Sequence, residues 1–484
     1  MEYIIKIGLE VHAQLATQTK MFCRCKLSEL NERPNVNICP ICIGMPGVLP
    51  VINQEALRLG LLVGLALSGE VLEYSKFDRK NYFYPDLPKG FQTSQYDLPI
   101  VKGGFVDIEN GDIVKRINLR RAHLEEDAGK LMHSVDHSLV DLNRAGTPLL
   151  EIVSEPDMDT PLQAKTFVLL LQMILRYCGA SSADMEKGQM RADANISVQK
   201  EGSESQPVEI KNLNSVRAIE RALEYEIKRQ TEIIKTDGVI EKETRGWDEK
   251  NEKTISQRSK EFAHDYRYFP EPDIPPLRLL KIFSVDQLKP TIPELPLAKK
   301  KRMINEYNLR EKDISALIEH RSIAEFIENS FSELRKKDEE KYKNNIQVAI
   351  NWFLRDVLGF INDKKISFAE QKITPENLAE FVVLLSKGKI SGPLAKELFL
   401  AMQETGDDPS HLILERGLEQ IGDTGKLLDI IDSVISQNPK VISDFEKGKK
   451  EAKMFLVGQV MKHTKGKADP QIVGELLDER LKGF

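Results

Sequence analysis

The sequence lacks the features that would attach a protein to a membrane or direct it to export. Its 484 residues contain no apolar run close to the roughly 18 residues that a membrane-spanning helix needs. The segment Met1–Glu10 has neither the basic start nor the small-residue cleavage site of a signal peptide and is typical of a β-strand. We therefore expect a protein of the cytoplasm.

The common signatures of nucleotide binding and of nucleophilic catalysis are also missing. The chain has no Gly-rich Walker loop, no protein-kinase set of motifs, and no Gly-x-Ser-x-Gly motif. It has no internal repeat, which argues against a solenoid. A nucleotide site in this protein would therefore be of a less common type.

An overall excess of positive charge is absent too, because the formal net charge is −6 at pH 7. A nucleic-acid partner would therefore need a local basic patch. The segment Lys440–Lys467 is the candidate, with eight lysines against Asp444, Glu446 and Glu451. A solvated helix face would explain the same charges, and this alternative stays open.

The periodicity of the chain predicts an α+β part followed by an all-α part. Up to about residue 270, segments of period two alternate with helical segments and turn signals. Seven prolines from Pro270 to Pro296 then predict a connection between domains. From about Leu297 onward nearly every segment has the helical period, including Asp313–Ser330 and Asn345–Leu358. The length favours about three domains.

Four of the five cysteines are clustered, in the pairs Cys23-Arg-Cys25 and Cys39-Pro-Ile-Cys42. Two close pairs joined by a loop supply four thiolates to a tetrahedral ion, and the backbone of the second pair can donate N–H groups to sulfur. Zn²⁺ fits best, while a disulfide or an iron–sulfur cluster would be the alternatives. Because four thiolates leave no open coordination position, we expect a structural role, fixing the loop before Gly44–Pro50.

The segment His123–Asp157 is strongly acidic although it is rich in apolar residues. It contains eight carboxylates, interrupted by apolar runs such as Pro148–Val153, but its only lysine and arginine are Lys130 and Arg144. Carboxylates beside a core stay ionised only where a cation or several donors compensate their charge. This segment therefore predicts a metal site or a site of phosphate chemistry, whereas Asp136 is expected to face solvent.

Residues two apart on a strand share a face, and this rule groups acids with His, Arg or Asn in several segments. The groups are Glu10 with His12; His123 with Glu125 and Asp127; Arg191 with Asp193 and Asn195; and Glu151 between Leu149 and Val153. Oxygen ligands with an imidazole suit Mg²⁺ or Mn²⁺, which commonly bridge to a nucleotide phosphate. Any single group is explained as well by ordinary surface or ion-paired residues.

Two further segments combine features suited to an anionic ligand. Lys76–Tyr84 interleaves three basic residues with four aromatic ones, a mixture that can bind phosphates and stack bases, although such aromatic residues also occur in cores. Lys211–Arg217 places Asn214 or Ser215 at the start of a helix, where an anion can bind. An ordinary helix cap is the simpler interpretation of the second segment.

Five segments, in this order, resemble the motifs of one family: Gly8–Leu15, Lys76–Asp86, His123–Lys130, Asp141–Pro148 and Asp265–Asp273. The family is GatB, the B subunit of the glutamine-dependent aspartyl/glutamyl-tRNA amidotransferases, within the GatB/GatE group, and the resemblance covers nearly the whole chain. Two C-terminal segments, Phe455–Met461 and Lys465–Pro470, resemble the tail domain that this family shares with YqeY-like proteins.

The resemblance implies three domains within an α+β fold. They are a mixed or antiparallel-sheet cradle domain at 1–292 with the four-cysteine zinc loop at 23–42, an all-α helical domain at 293–406, and a small all-α, YqeY-like, tRNA-binding tail at 407–484. It also implies a heterotrimer with an amidase-type A subunit, which releases ammonia from glutamine, and a small C subunit.

The activity that the resemblance implies is that of a carbon–nitrogen ligase with glutamine as amido donor. With ATP and Mg²⁺ or Mn²⁺, such a protein phosphorylates the side-chain carboxylate of glutamate or aspartate mischarged on tRNA. Ammonia then displaces the phosphate, giving Gln-tRNA(Gln) or Asn-tRNA(Asn). Activation is needed because oxide is a poor leaving group, and phosphoryl transfer requires charge neutralisation more than a protein nucleophile.

The family's motifs also imply the functional residues. The catalytic set is Glu10, His12, Glu125, Glu151, Asp193, Arg191 and Lys130. The first four are the predicted metal ligands, Asp193 is a further ligand or orienting residue, and the two basic residues stabilise phosphate charge. The tRNA-binding set in the tail is Lys447, Lys449, Lys450, Lys453, Lys462, Lys465 and Lys467. Two other functions stay open: a nucleic-acid-binding module with structural carboxylates, and a scaffolding protein whose partner holds the chemistry.

Overall fold

In the computed structural model, the period-two segments of the first half form one large sheet. The structure describes residues 3–27, 32–110, 113–259, 263–418, 424–446, 450–464 and 466–481. The strands within these residues are β1 (Tyr3–Gln14), β2 (Glu70–Val71), β3 (Tyr74–Ser75), β4 (Asp78–Asn81), β5 (Phe91–Ser94), β6 (Val101–Lys102), β7 (Phe105–Asn110), β8 (Ile113–Glu126), β9 (Lys130–His133), β10 (Ser138–Asp141), β11 (Pro148–Ser154), β12 (Met190–Lys200), β13 (Val208–Leu213), β14 (Glu243–Asp248), β15 (Lys253–Ser259), β16 (Phe269–Pro270) and β17 (Leu277–Arg278).

The large sheet is mixed, as predicted. Its strand order is β15-β14-β13-β12-β1-β11-β8-β6-β2, and β7 pairs with β8. Neighbouring strands are antiparallel except β13 and β14, which are parallel. Smaller sheets pair β9 with β10, β4 with both β16 and β5, and β17 with β3. The centre of the large sheet therefore consists of strands that are distant in sequence.

Helices cover one face of this sheet. The α-helices among the described residues of the first half are α1 (Gln54–Ala66), α2 (Pro161–Tyr177), α3 (Val216–Lys235), α4 (Leu279–Ile282) and α5 (Val285–Leu288). Alternate residues of β1, namely Ile7, Leu9 and Val11, are buried in one core with apolar side chains of α1, α2 and α3. Side chains alternate along a strand, so Glu10 and His12 lie on the opposite face. The face of the sheet that the helices do not cover therefore carries these polar residues.

Two helix starts in this half have the caps that their sequences favour. The Thr160 side chain accepts a hydrogen bond from the backbone of Gln163 at the start of α2. At the start of α3, the Ser215 hydroxyl accepts from the Ala218 N–H at 3.0 Å. Capping satisfies backbone donors that otherwise have no partner within the helix. The cap interpretation of Ser215 is therefore confirmed.

The chain divides into two compact units, Met1–Ala298 and Lys299–Phe484. From Pro296 onward the regular elements of the described residues are all helices, and the α-helices are α6 (Pro296–Tyr307), α7 (Glu311–Leu317), α8 (Arg321–Lys337), α9 (Tyr342–Trp352), α10 (Leu358–Lys364), α11 (Pro375–Ser386), α12 (Gly392–Thr405), α13 (Pro409–Arg416), α14 (Thr424–Gln437), α15 (Pro439–Glu446), α16 (Lys450–His463) and α17 (Pro470–Leu481). The α+β class with a helical C-terminal part is thus confirmed. The three-domain division stays a prediction.

Among its described residues, the second unit contains two hydrophobic clusters. One draws its buried residues from Met303 to Leu418, and the other from Leu427 to Leu481. The helix predicted at Asp313–Ser330 is wrong in one respect, because it is divided into α7 and α8. The backbone of His320 is extended between them, which turns α8 so that its apolar side chains join the first cluster.

Two other helices of the second unit have a notable local feature, one an irregular turn and the other a capped start. The segment predicted as one helix at Asn345–Leu358 is helical, but residues Phe353–Val357 form a π-helical turn between α9 and α10. At the start of α11, the Thr374 side chain caps the helix by accepting a hydrogen bond from the Asn377 N–H. In the part of the chain that is described, no helix has the length and apolar character needed to cross a membrane.

Candidate active site and cysteine cluster

Four neighbouring strands place polar side chains in a row across the open face of the sheet. Arg191 of β12 lies opposite His12 of β1, and Glu151 of β11 lies opposite His12 on its other side. Glu151 in turn lies opposite His123 of β8. Directly opposite residues of antiparallel strands point to the same face. The polar side chains on this face of each strand therefore form one continuous row across four strands.

His12 is at the centre of a cluster whose side chains could hold a metal ion. Its Nε2 atom lies 3.3 Å from Glu125 Oε1 and 3.2 Å from Glu151 Oε2. One ligand atom from each of these three residues lies within 4.8 Å of the other two. The Glu125 side chain is only 4% exposed. Two carboxylates with an imidazole are a donor set that suits Mg²⁺ or Mn²⁺.

The charges of this cluster favour a cation. Burial lowers the pKa of His12, but the negative charges of Glu151 and Glu125 outweigh burial and raise this pKa to about 9. Burial acts to raise the pKa of Glu151, whereas His123 and His12 lower it, and the net pKa is well below its ordinary value. Glu151 therefore stays ionised, and the cluster stabilises a positive charge beside it.

A second group of charged residues borders the cluster. Lys211 Nζ lies 3.3 Å from Asp193 Oδ2, and Arg191 donates to Asp127 Oδ1 at 2.9 Å. Burial lowers the pKa of Lys211, but the charges of Asp193 and Glu209 outweigh it, so the pKa is raised. Asp127 raises the pKa of Arg191. Both basic residues are therefore charged at neutral pH, as the binding of phosphate oxygens requires.

Glu10, the fourth predicted metal ligand, lies beside this cluster. It is opposite Asp193 in the sheet, and its Oε1 atom accepts a hydrogen bond from Asn195 Nδ2 at 3.0 Å. Glu10 is not one of the three residues whose ligand atoms lie within 4.8 Å of one another. It does line the same cavity, so its role as a ligand stays a prediction.

The acidic and basic side chains of these groups line one cavity of about 570 Å³. Ligand sites in proteins commonly have volumes of about 300–1,000 Å³. Tyr96 and Tyr268 also line it, stacked with ring centroids 4.4 Å apart. Lys80 Nζ lies 4.8 Å from the centre of the Tyr266 ring in the same wall. The cavity thus combines acids, bases and aromatic rings, and part of the Lys76–Tyr84 segment contributes to it.

Lys130 is the one member of the predicted catalytic set that does not line the cavity. It is exposed at the start of β9, in the separate hairpin formed with β10. This hairpin is not part of the large sheet, so the Lys130 side chain does not lie in the row of acidic residues on that sheet. Its position gives no support to a role in phosphate binding. Asp136, in the turn of the hairpin, is 85% exposed, as predicted.

The structure adds to the site three residues that the predicted catalytic set did not include. His123 is 2% exposed, its Nε2 atom lies 3.1 Å from Glu151 Oε2, and its buried Nδ1 atom has no hydrogen-bond partner in the described part of the chain. Lys211 and Asp127 supply the contacts to Asp193 and Arg191 given above. His123 and Asp127 are each two residues from Glu125, and this spacing indicates that the three share one face of the strand. Nothing in the sequence indicates that β13 brings Lys211 beside β12.

The four clustered cysteines form a second candidate metal site. One Sγ atom from each of Cys23, Cys25, Cys39 and Cys42 lies within 4.8 Å of the others. The Cys39 N–H donates to Cys42 Sγ at 3.2 Å, the type of bond that stabilises a metal-bound thiolate. None of the five cysteines, all of them described, forms a disulfide. The residues therefore fit a four-thiolate metal site.

A buried cation accompanies these thiols. Lys20 is fully buried, and its Nζ atom lies 3.7 Å from Cys42 Sγ. A hydrogen bond from Cys23 lowers the pKa of Cys42; burial opposes this shift, while the Cys39 N–H and the charge of Lys20 reinforce it. Thiolate is the form that binds metal ions. The protein therefore favours the ligand form of Cys42.

The predicted tRNA-binding lysines are only partly described. Lys462 is exposed in the last turn of α16, and Lys453 and Lys467 are half-buried. Lys453 Nζ lies 2.6 Å from Asp478 Oδ2. Lys447, Lys449 and Lys465 lie outside the described residues. The backbone of Lys450 is described, but its side chain is not.

The sheet and its acidic cavity are those of a GatB/GatE catalytic domain, since the model of that family matches residues 5–284. A second family model, described as the GatB domain, matches residues 329–481. The chain therefore belongs to the GatB family, the B subunits of aspartyl/glutamyl-tRNA(Asn/Gln) amidotransferases. It is one component of a tRNA-dependent amidotransferase, a glutamine-dependent ligase that acts in protein biosynthesis.

Curated relatives match over their whole length. Each of the following is named as the B subunit of an aspartyl/glutamyl-tRNA(Asn/Gln) amidotransferase. The protein from Persephonella marina is 46% identical over 484 residues, 100% of both chains. That from Caldicellulosiruptor saccharolyticus is 47% identical over 488 residues, 99% of both, and that from Thermotoga maritima is 45% identical over 491 residues, 100% of both. The family resemblance found in the motifs is confirmed.

Proposed function

We propose that this chain, in the cytoplasm, uses ATP to phosphorylate the side-chain carboxylate of glutamate or aspartate mischarged on tRNA. The terminal phosphoryl group moves to a carboxylate oxygen and ADP leaves. Ammonia then attacks the acyl carbon, the bond to the phosphate oxygen breaks, and phosphate leaves with the electron pair. The nitrogen loses a proton, which gives the amide of Gln-tRNA(Gln) or Asn-tRNA(Asn).

The observation that carries this proposal is the cluster of His12, Glu125 and Glu151 in a cavity that Arg191 and Lys211 also line. Mg²⁺ or Mn²⁺ would be held by these three residues, with Glu10 as a further ligand, and would neutralise charge on the phosphate oxygens. Acids that require a cation, next to bases that can bind phosphate, form the combination that phosphoryl transfer needs.

Each remaining residue has a role that follows from its contacts. Arg191 and Lys211 bind phosphate oxygens, because both keep their charge while Asp127 and Asp193 orient them. His123 contacts the Glu151 carboxylate at 3.1 Å and so keeps it directed toward His12. Hydrogen bonds to ligating groups fix their orientation in this way.

The proposed partners are an amidase-type A subunit, which supplies ammonia from glutamine, and a small C subunit. With both partners present, we expect the purified complex to amidate Glu-tRNA(Gln), Asp-tRNA(Asn) or both, with one ADP and one phosphate formed for each amide. Quantifying labelled aminoacyl-tRNA together with ADP tests this stoichiometry. Ammonium salt should replace glutamine in the same assay. Amide formation without ATP would contradict the proposal.

We also propose that the cysteine cluster binds one structural Zn²⁺, held by Cys23, Cys25, Cys39 and Cys42. The four sulfur atoms and the backbone donor described above support this proposal. A closed thiolate site has no open position for substrate, so the ion would fix the fold of the loop and take no part in the reaction. Metal analysis of the purified protein tests the stoichiometry.

The tail lysines are proposed to bind the tRNA backbone. Replacing Lys453, Lys462 and Lys467 together by alanine should weaken tRNA binding and reduce the slope of log affinity against log salt by up to about three, because each phosphate contact contributes about one. Filter binding at several salt concentrations measures both quantities. The ATP-dependent amidation of saturating substrate should change little.

A matched control removes three lysines from another part of the same unit, Lys336, Lys341 and Lys343. This variant loses the same charge, so an electrostatic effect of net charge alone would weaken binding equally in both variants. We expect the control to retain the salt slope of the unchanged protein. Equal affinities for all three proteins would overturn the assignment of the tail.

A further inference from the structure

The loop between the two cysteine pairs is bonded to a segment more than 100 residues further along the chain. We call residues 32–38, the described end of that loop, the cysteine loop, and residues 140–147 the motif segment. The Asn35 side chain donates to Val140 O at 3.0 Å and accepts from Leu142 N at 2.8 Å. The Asn35 N–H donates to Asp141 Oδ1 at 3.1 Å. One asparagine thus fixes three consecutive residues of the motif segment.

A second set of hydrogen bonds joins the same two segments. The Asn37 N–H donates to Asn143 Oδ1 at 2.9 Å, and Asn143 Nδ2 donates to Arg33 O at 2.8 Å. The Asn37 side chain, in contrast, contacts Glu32 within its own loop. Hydrogen bonds from both backbone and side-chain groups therefore join the cysteine loop to the motif segment.

Lys20 connects the cysteine cluster itself to the motif segment. Its buried Nζ atom lies 3.7 Å from Cys42 Sγ and donates to Leu142 O at 3.3 Å. Four thiolates around a divalent ion carry more negative than positive charge. A buried ammonium group is stable only with a counter-charge, and the thiolate cluster provides one. The lysine and the metal-bound thiolates therefore stabilise each other.

The motif segment in turn contacts the wall of the active site. Arg144 donates to Ala128 O at 3.0 Å and Gly129 O at 2.6 Å, and its Nε atom lies 3.4 Å from Asp127 Oδ2. The Gly146 N–H donates to Asp127 O at 2.9 Å. Asp127 is the residue that orients Arg191. A continuous set of contacts thus leads from the cysteines to a basic residue of the cavity.

We propose that the metal-loaded cysteine cluster positions the active-site wall, with Lys20 and Asn35 as the positioning residues. Lys20 supplies the counter-charge of the thiolates and holds Leu142, while Asn35 holds the adjacent backbone of the motif segment. The cluster is then more than a local fold element, because the position of Asp127 and Arg191 depends on it. This inference rests on the proposal that the cluster binds Zn²⁺.

The first test compares zinc affinity in the full chain by competition with a coloured chelator. Lys20→Met removes the buried charge, and we expect zinc affinity to fall by about ten- to a hundredfold, as for other residues that contact metal ligands. Lys26→Met is the matched control, because this lysine is exposed next to Cys25 and its loss changes the net charge equally. Equal affinities in the two variants would overturn the role of Lys20.

The second test measures hydrogen exchange at the backbone amides of Leu142 and Gly146. Removing zinc from the unchanged protein should speed exchange at both amides at least about tenfold, while the amides of α2 serve as the reference for global unfolding. Asn35→Gly should speed exchange at Leu142 with zinc still bound. Glycine suits this site because the Asn35 φ angle is +58°. Asn37→Ala, which removes only the contact within its own loop, should leave Leu142 protected.

The outcomes separate this inference from the zinc proposal. Wild-type protein without stoichiometric zinc would overturn both. Stoichiometric zinc whose removal leaves the exchange of Leu142 and Gly146 unchanged would overturn the coupling alone. Faster exchange of the α2 amides to the same extent would show global destabilisation and would also overturn it.

Discussion

Changing Glu125 to glutamine is expected to lower ATP-dependent amidation by about a hundred- to a thousandfold, the usual effect of removing one group that stabilises transition-state charge. Glutamine has nearly the same shape, and the side chain is buried, so the fold should be retained. The change removes the negative charge 3.3 Å from His12 that the cation site requires. Activity with glutamine and with ammonium salt should fall together, because activation of the carboxylate precedes attack by ammonia from either source.

The partner's glutaminase activity separates this result from a failure of assembly. Glutamine hydrolysis, assayed without coupling to amidation, should persist in the Glu125→Gln complex. Asp136→Asn is the control, since it removes the same charge at a side chain that is 85% exposed on the hairpin. A scaffolding protein would keep both amidation activities when Glu125 is changed, and so would a module that only binds nucleic acid. Either result would sink the catalytic proposal.

Removing the metal from the cysteine cluster is expected to cause the largest loss of stability. A structural metal ion binds the folded protein and not the unfolded chain, so its binding free energy contributes directly to stability. A ligand present at about 100 to 1,000 times its Kd stabilises the folded state by about 3–4 kcal/mol. For a unit of this size we expect the Tm to fall by roughly 6–16 °C. Calorimetry of the zinc-loaded and chelator-treated full chain measures the change.

Cysteine variants show whether the loss arises at the cluster. Cys42→Ser should reproduce the effect of chelation, and added chelator should then have no further effect on the Tm. Cys178→Ser is the matched control, because this thiol is buried but lies outside the cluster. It should retain one zinc ion and respond to chelator like the unchanged protein. Identical melting of loaded and treated wild-type protein would contradict the structural role.

Local patterns in the sequence were sufficient for several features. The spacing of the four cysteines predicted their clustering, because two close pairs on one loop can meet with little help from the rest of the chain. Strand alternation predicted that Glu10 and His12 share a face, since that depends only on the geometry of one strand. The cap at Ser215 and the helical second half follow from similarly local rules. The family's motifs identified the chain because they occur in order along it.

Other features depended on contacts between distant parts of the chain. Glu151 meets His12 only because β11 pairs with β1 in one register, and a shift by one residue would move its carboxylate to the helical face. Strand pairing likewise brings Lys211 and His123 into the site and places Lys130 outside it. The contact of Asn35 with Val140 also spans more than 100 residues. The sequence by itself therefore determined the local chemistry and the family. The tertiary structure decided which groups meet, because strand register depends on burying the whole apolar face at once.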